Sequence, residues 1–241
     1  MTAPVSRLRQ QRDLDRIIRD AINLYRDNAG PFLSIAAVVI PLGIAAAALQ
    51  ARFDDPVAES LVLLPVNLLQ VAVNLLVAAA LIAALGRIDS GQPAEFSHAY
   101  DVAFERFWTL AGAVLRVVFH VLLFAITIVG IPWAIQRLVR WVFAEQAVIL
   151  DGRTAEEALS HSAAAVSGYW WRTLGISIVV ALLAGIPFII SVPFSLAPVL
   201  ISGTVSAILT AGVLPFSITA MTLLYFDLKL RHEPVAQEAS P

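Results

Sequence analysis

Residues 173–226 contain no Asp, Glu, Lys, Arg or His. An α-helix rises about 1.5 Å per residue and a bilayer crossing takes about 20 residues, so this stretch alone accommodates two crossings. Apolar runs at 31–50, 61–85, 109–129, 132–150, 170–191 and 203–228 together predict six membrane-spanning helices. Proline marks their irregular points. Pro31 opens the first run and Pro41 bends it, Gly130–Pro132 turns the third into the fourth, and Pro193 with Pro198 separates the last two.

The stretches between these runs change period. Over 12–28, Leu14, Ile17, Ile18, Ala21, Ile22 and Tyr25 recur at helical spacing with Arg and Asp opposite, which predicts an amphipathic helix lying along the membrane surface. Gly91 and Pro93 start a second such helix, whose stripe is Phe96, Ala99, Ala103 and Phe107. Asp151-Gly152 is a turn, and Thr154 with Glu157 forms a capping box for a third, with Ala155, Ala158, Leu159 and Val166 on its apolar side. The three helices lead into their spans through NLYRDNAGPFL, AFERFWTLAGA and SGYWWRTLGIS, so the chain reads as three units, each an amphipathic helix followed by a hairpin of two spans. The expected fold is a single all-α membrane domain over residues 1–241. The extreme ends, 1–11 and 233–241, read as disordered tails.

Composition agrees: 59% of residues are hydrophobic and 14% charged, against about 25% charged in soluble domains. Cysteine is absent, which excludes disulfides, thiolate metal sites and thiol nucleophiles. Charge orients the helices. With the N-terminus inside, Arg7, Arg9, Arg12, Arg16, Arg19, Arg26, Arg87, Arg106, Arg153, Arg172, Lys229 and Arg231 are cytoplasmic, and only Arg52 falls outside, beside Asp54, Asp55 and Glu59. That bias predicts both termini in the cytoplasm.

Catalytic signatures are missing. No Walker A loop, G-x-S-x-G elbow, H-E-x-x-H or dinucleotide fingerprint occurs, and His98, His120, His161 and His232 are scattered without metal-ligand spacing. No enzymatic activity, cofactor or nucleic-acid partner is expected. Two polar groupings inside the apolar runs remain as candidates. Asn67, Gln70 and Asn74 share one face of the second span, suited to interhelical hydrogen bonds or, alternatively, to a polar ligand path. The 109–150 hairpin carries Arg116, His120, Arg137, Arg140 and Glu145. Charge at membrane depth is costly and marks either a site or a side chain that reaches an interface or a carbonyl. Arg137 and Arg140, three residues apart, are placed to take an anion or lipid phosphate in the outer half of the bilayer. A tight antiparallel turn at Gly130-Ile131 puts Glu145 level with Arg116, which predicts a buried ion pair. Gly203, Ala207 and Ala211 predict a close helix approach.

The opening RDLDRIIRDAINLYRDNAGPFL, the stretch RWVFAEQAVILDGRTAEEALSHSAAAVSGYWWRTLGI and the closing TLLYFDLKLR resemble the bacterial "glycerophosphoryl diester phosphodiesterase membrane domain" family. The resemblance covers nearly the whole chain and implies a bacterial inner-membrane bundle. The family takes its name from members fused to a catalytic barrel, for which this chain has no room, so no catalytic residue carries over. The expected function is a non-enzymatic membrane scaffold or lipid-binding module, its partners being membrane lipids, anionic ones included, and an unidentified protein. The alternative is a small transporter or channel component using the polar intramembrane faces.

Overall fold

The structure is a computed structural model that describes residues 8–53 and 56–238, apart from the side chains of 56, 58, 195 and 233–238. Among the described residues every regular element is helical: α1 (Leu14–Asp27), α2 (Ala29–Ala36), α3 (Val39–Gln50), α4 (Pro56–Asp89), α5 (Phe96–Ala125), α6 (Ile131–Arg140), α7 (Ala144–Asp151), α8 (Ala155–Val166), α9 (Trp170–Ala184), α10 (Ile186–Ser191) and α11 (Val199–Glu238). Short 3-10 turns cover Ile128–Gly130 and Val192–Leu196. Five stretches are long and apolar enough to cross a membrane: Ala29–Gln50, Glu59–Asp89, Phe96–Ala125, Trp170–Phe194 and Val199–His232.

Local chemistry explains most boundaries. Pro41 has no N–H to give Ala37, and the chain between α2 and α3 turns at that carbonyl, with Ile40 N bonding Ala37 O instead at 3.0 Å. The capping box forms as expected: Glu157 N donates to Thr154 Oγ1 at 3.4 Å and Thr154 N donates to Glu157 Oε2 at 3.1 Å. Gly152, with φ +63°, supplies the left-handed residue that ends α7. Between Pro93 and Gly112 nothing interrupts the helix, so the second entry helix and its span fuse into the single α5.

Packing forms two cores. One surrounds the inner half of α4, where Val77, Ala80, Leu81, Ala84 and Leu85 meet Phe32, Ile35, Ala99, Ala103, Ala147 and Val148. The other surrounds the end of α11, where Leu223, Leu224, Tyr225 and Leu228 meet Ile17, Ala21, Phe143, Val166, Ile176 and Val180. The first unit and the last helix also touch directly, because α11 packs along α3. A Cβ on Gly43 would lie 2.7 Å from Ala207 Cβ, and one on Gly203 would overlap Ala47. The small residues there set the spacing of the two helices.

Three expectations are corrected. The run 132–150 is not one helix but α6 and α7, of 10 and 8 residues, separated at Trp141–Phe143. Ser162 of α8 causes the break: its hydroxyl donates to Arg140 O at 2.8 Å and accepts from Phe143 N at 3.1 Å. A side chain inserted there takes two groups that a continuous helix would have paired internally. Residues 8–11 are not a loose tail, since Leu8 is buried and its N–H donates to Asp89 at 3.0 Å. At the other end, α11 continues to Glu238. Residues 1–7 and 239–241, with Asp54 and Asp55, lie outside the described residues.

Candidate functional site

The face carrying Asn67, Gln70 and Asn74 does not form interhelical hydrogen bonds. None of the three amides bonds a described residue. They line a cleft of about 330 Å³ between α3, α4 and α11, together with Gln50, Ser206 and Thr210. Its walls are Val39, Leu42, Ala46, Leu63 and Val73, and its floor is the Gly43–Ala207 and Ala47–Gly203 contact. Among the described residues none that lines it is charged. One side is open, as the exposure of Asn67 and Asn74 shows. Amides left unpaired inside an apolar element are costly, and water or a ligand's polar groups are what remain to satisfy them. Ser206 and Thr210 also line a second cleft, with Pro187, Phe188 and Ser217, so hydroxyls connect the two sides of α11.

The hairpin charges separate into distinct settings. The antiparallel register is as expected: Arg106 Nη1 donates to Gly152 O at 3.2 Å, and farther along the His120 ring meets Trp141 with centroids 5.2 Å apart. The Arg116–Glu145 ion pair nevertheless does not form. Arg116 is exposed and donates back to Gly112 O of its own helix at 3.0 Å, whereas Glu145 begins α7, which packs against α4, α5 and α8. Arg137 and Arg140 also diverge. Arg137 stands over the Trp141 ring at 5.2 Å, on the side of His120, whose Nδ1 lies 2.7 Å from Arg116 O. Arg140 is exposed on the other side, beside Gln136, Ser167 and Trp170, and its guanidinium has no described partner. The stack on Trp141 turns the Arg137 guanidinium toward His120 and away from the groove beside Arg140.

A third polar assembly, centred on Asp227, was missed by the sequence reading. Asp227 is fully buried. It accepts from Arg12 N at 2.6 Å, Arg172 Nη2 at 3.1 Å and Arg231 Nε at 2.9 Å. Both of those guanidinium groups also donate to Arg12 O. Arg12 itself is buried, bonding Asp20 at 2.7 Å and Leu8 O at 2.6 Å, while Asp89 holds Leu8 N and Arg9. Next to this clamp, Asp151 accepts from Tyr225 and from Lys229 Nζ at 2.8 Å, and His161 Nε2 lies 3.1 Å away. Burial pushes the Asp151 carboxyl up, but the bonds from Lys229 and Tyr225 and the charges of Lys229 and His161 outweigh it, holding the carboxyl below its ordinary range. The available signal was an acid that ends an uncharged run, which is conspicuous only once its partners are known.

Among the described residues no group of three His, Asp or Glu is placed to hold a metal ion. The clamp ties elements together through paired charges, and a polar cleft of about 440 Å³ lined by Arg12, Arg16, Arg19 and Arg231 opens beside it. The amide cleft and the Arg140 surface are the places where the sequence-predicted polar residues meet open space. An all-helical chain with five helices of spanning length and apolarity is a multi-pass membrane protein. Compared with family models, curated proteins and solved structures, the chain matches none.

Proposed function

We propose that this chain is a non-enzymatic membrane module whose cleft between α3, α4 and α11 receives the uncharged polar part of a lipid. The observation that carries the reading is the set of three unpartnered amides, Asn67, Gln70 and Asn74, in a charge-free cleft with one open side. A neutral, hydrogen-bonding group such as a glycerol ester region satisfies amides and hydroxyls without the penalty of burying a charge. The test is lipid retained through purification. Replacing Asn67, Gln70 and Asn74 together by Leu is expected to abolish retention of neutral lipid while the protein melts as before. Unchanged lipid content would overturn the reading. The link through Ser206 and Thr210 favours a second reading, a transport component, for which reconstituted vesicles would leak a neutral polyol.

The proposed topology has six crossings, with α6 and α7 together forming the fourth and both ends in the cytoplasm of a bacterial cell. Support comes from the two clamps. Arg12 and Arg231 meet at Asp227, and this meeting of an early and a late segment supports an even number of crossings. Asp89, the last residue of α4, bonds Leu8 N, and Asp151, the last residue of α7, bonds Lys229, which supports a path in which 96–151 leaves one end of the bundle and returns to it. The absence of cysteine makes single-cysteine labelling clean. Ser90 and Gly152 are expected to label from the cytoplasm and Val129 from outside. Val129 labelled only from the cytoplasm would replace the crossing by a re-entrant hairpin. The likeness to the phosphodiesterase membrane domain agrees with this architecture and carries no hydrolytic chemistry.

A further inference from the structure

The surface between α6 and the start of α9 is a second polar–apolar groove, remote from the amide cleft. Pro132, Trp133 and Trp171 line an apolar part of about 360 Å³. Gln136 and Trp170 line both this part and an adjoining one of about 200 Å³ that contains Arg140 and Ser167. Three features of the second part point to an anion. The Arg140 guanidinium is exposed and has no described partner. The Trp170 Nε1 donor is buried without a partner. Among the described residues no carboxylate lines either part to neutralise the arginine. Guanidinium, indole N–H, amide and hydroxyl together make a set of donors suited to phosphate oxygens. The tryptophan-walled part beside them suits an acyl chain, and indoles favour the interface between chain and headgroup. Trp170 precedes Arg172 by two residues, and Arg172 is bound to Asp227, so the Trp170 side of the groove lies next to that clamp.

We infer that this groove binds one anionic phospholipid, its phosphate at Arg140 and an acyl chain along Trp133 and Trp171. The assignment rests on the chain being embedded in a bilayer and not on the occupancy of the amide cleft. Arg137 takes no part, being engaged over Trp141.

The experiment titrates the full-length purified protein in neutral detergent with phosphatidylglycerol and, separately, phosphatidylcholine, following tryptophan fluorescence and bound lipid by native mass spectrometry. Arg140→Gln is expected to weaken phosphatidylglycerol binding about fivefold, the worth of one basic side chain against an anionic lipid, and to leave phosphatidylcholine unchanged. Arg140→Lys retains most of the preference, and Arg137→Gln retains all of it. Trp133→Ala weakens both lipids alike. Equal binding of the two lipids by the wild type, or no effect of Arg140→Gln, overturns the site. An equal loss in Arg137→Gln overturns it in favour of diffuse positive charge. Displacement by millimolar inorganic phosphate overturns the lipid assignment in favour of a soluble anion. A photoreactive residue at Trp171 that captures protein in native membranes overturns it in favour of a docked partner. Retention of neutral lipid by the Asn67 triple variant is read separately, so failure of one site does not imply failure of the other.

Discussion

Replacing Asp227 by Ala tests whether the charge clamp closes the bundle. The carboxylate is fully buried, and its removal strands the buried Arg12 N–H and two guanidinium groups. Removing one partner of a buried ion pair costs about 3–5 kcal/mol, and an orphaned buried donor costs about 1–3 kcal/mol. Arg172 and Arg231 retain 25% and 22% of their side-chain exposure, so they reach water and recover part of that loss. A net loss of about 3–5 kcal/mol is expected, which for a chain of this length lowers the melting midpoint by roughly 6–20 °C. Asp227→Asn keeps an acceptor for Arg12 N and should fall between the wild type and Ala. Thermal unfolding in a mild detergent gives the midpoint. Limited trypsin digestion gives the local consequence, because Arg12 is only 4% exposed in the intact clamp and becomes cleavable when the segment is released. A shift below about 2 °C with Arg12 still protected would refute the reasoning.

Ser162→Ala removes the hydroxyl that serves both Arg140 O and Phe143 N, and should cost about 1–3 kcal/mol; a neutral effect in detergent unfolding would show that α6 and α7 rejoin without it. Gly43→Ala introduces a methyl 2.7 Å from Ala207 Cβ and should cost about 1–3 kcal/mol by overpacking; an unchanged midpoint would mean that α3 and α11 separate freely. Asp151 is held below its ordinary range when folded, so its contribution is complete above the unfolded carboxylate value of about 3.9 and is lost as pH falls through the depressed folded value. Asp151→Asn should therefore narrow the stability gap to wild type as the pH is lowered through that acid window, and a gap independent of pH would contradict it.

The elements were legible wherever a local rule governed them. Thr154 and Glu157 lie three residues apart and cap α8 whatever surrounds them, Gly152 ends α7, and Pro41 interrupts the first apolar run. The membrane class followed from apolar runs of spanning length, and the close approach of α3 and α11 was foreshadowed by Gly203 and Ala207. The polar face of Asn67, Gln70 and Asn74 was visible as spacing, but only the bundle decides whether amides on one face meet another helix or a cleft.

What the sequence could not determine depends on groups brought from far along the chain. Counting from the turn predicted Glu145 opposite Arg116, yet the rotation of each helix about its axis is set by packing, and Arg116 is exposed and bonds Gly112 O of its own helix. The fourth apolar run looked continuous because the residue that breaks it, Ser162, belongs to a later helix. Residues 8–11 looked like a tail, and Arg12 like the start of a surface helix, because the partners of Leu8 and Arg12, Asp89 and Asp227, lie about eighty and more than two hundred positions away. Composition, hydrophobic period and capping are properties of neighbouring residues and are readable in one dimension. Facing, helix breaks made by foreign side chains and buried charge partnerships exist only once the chain has closed on itself.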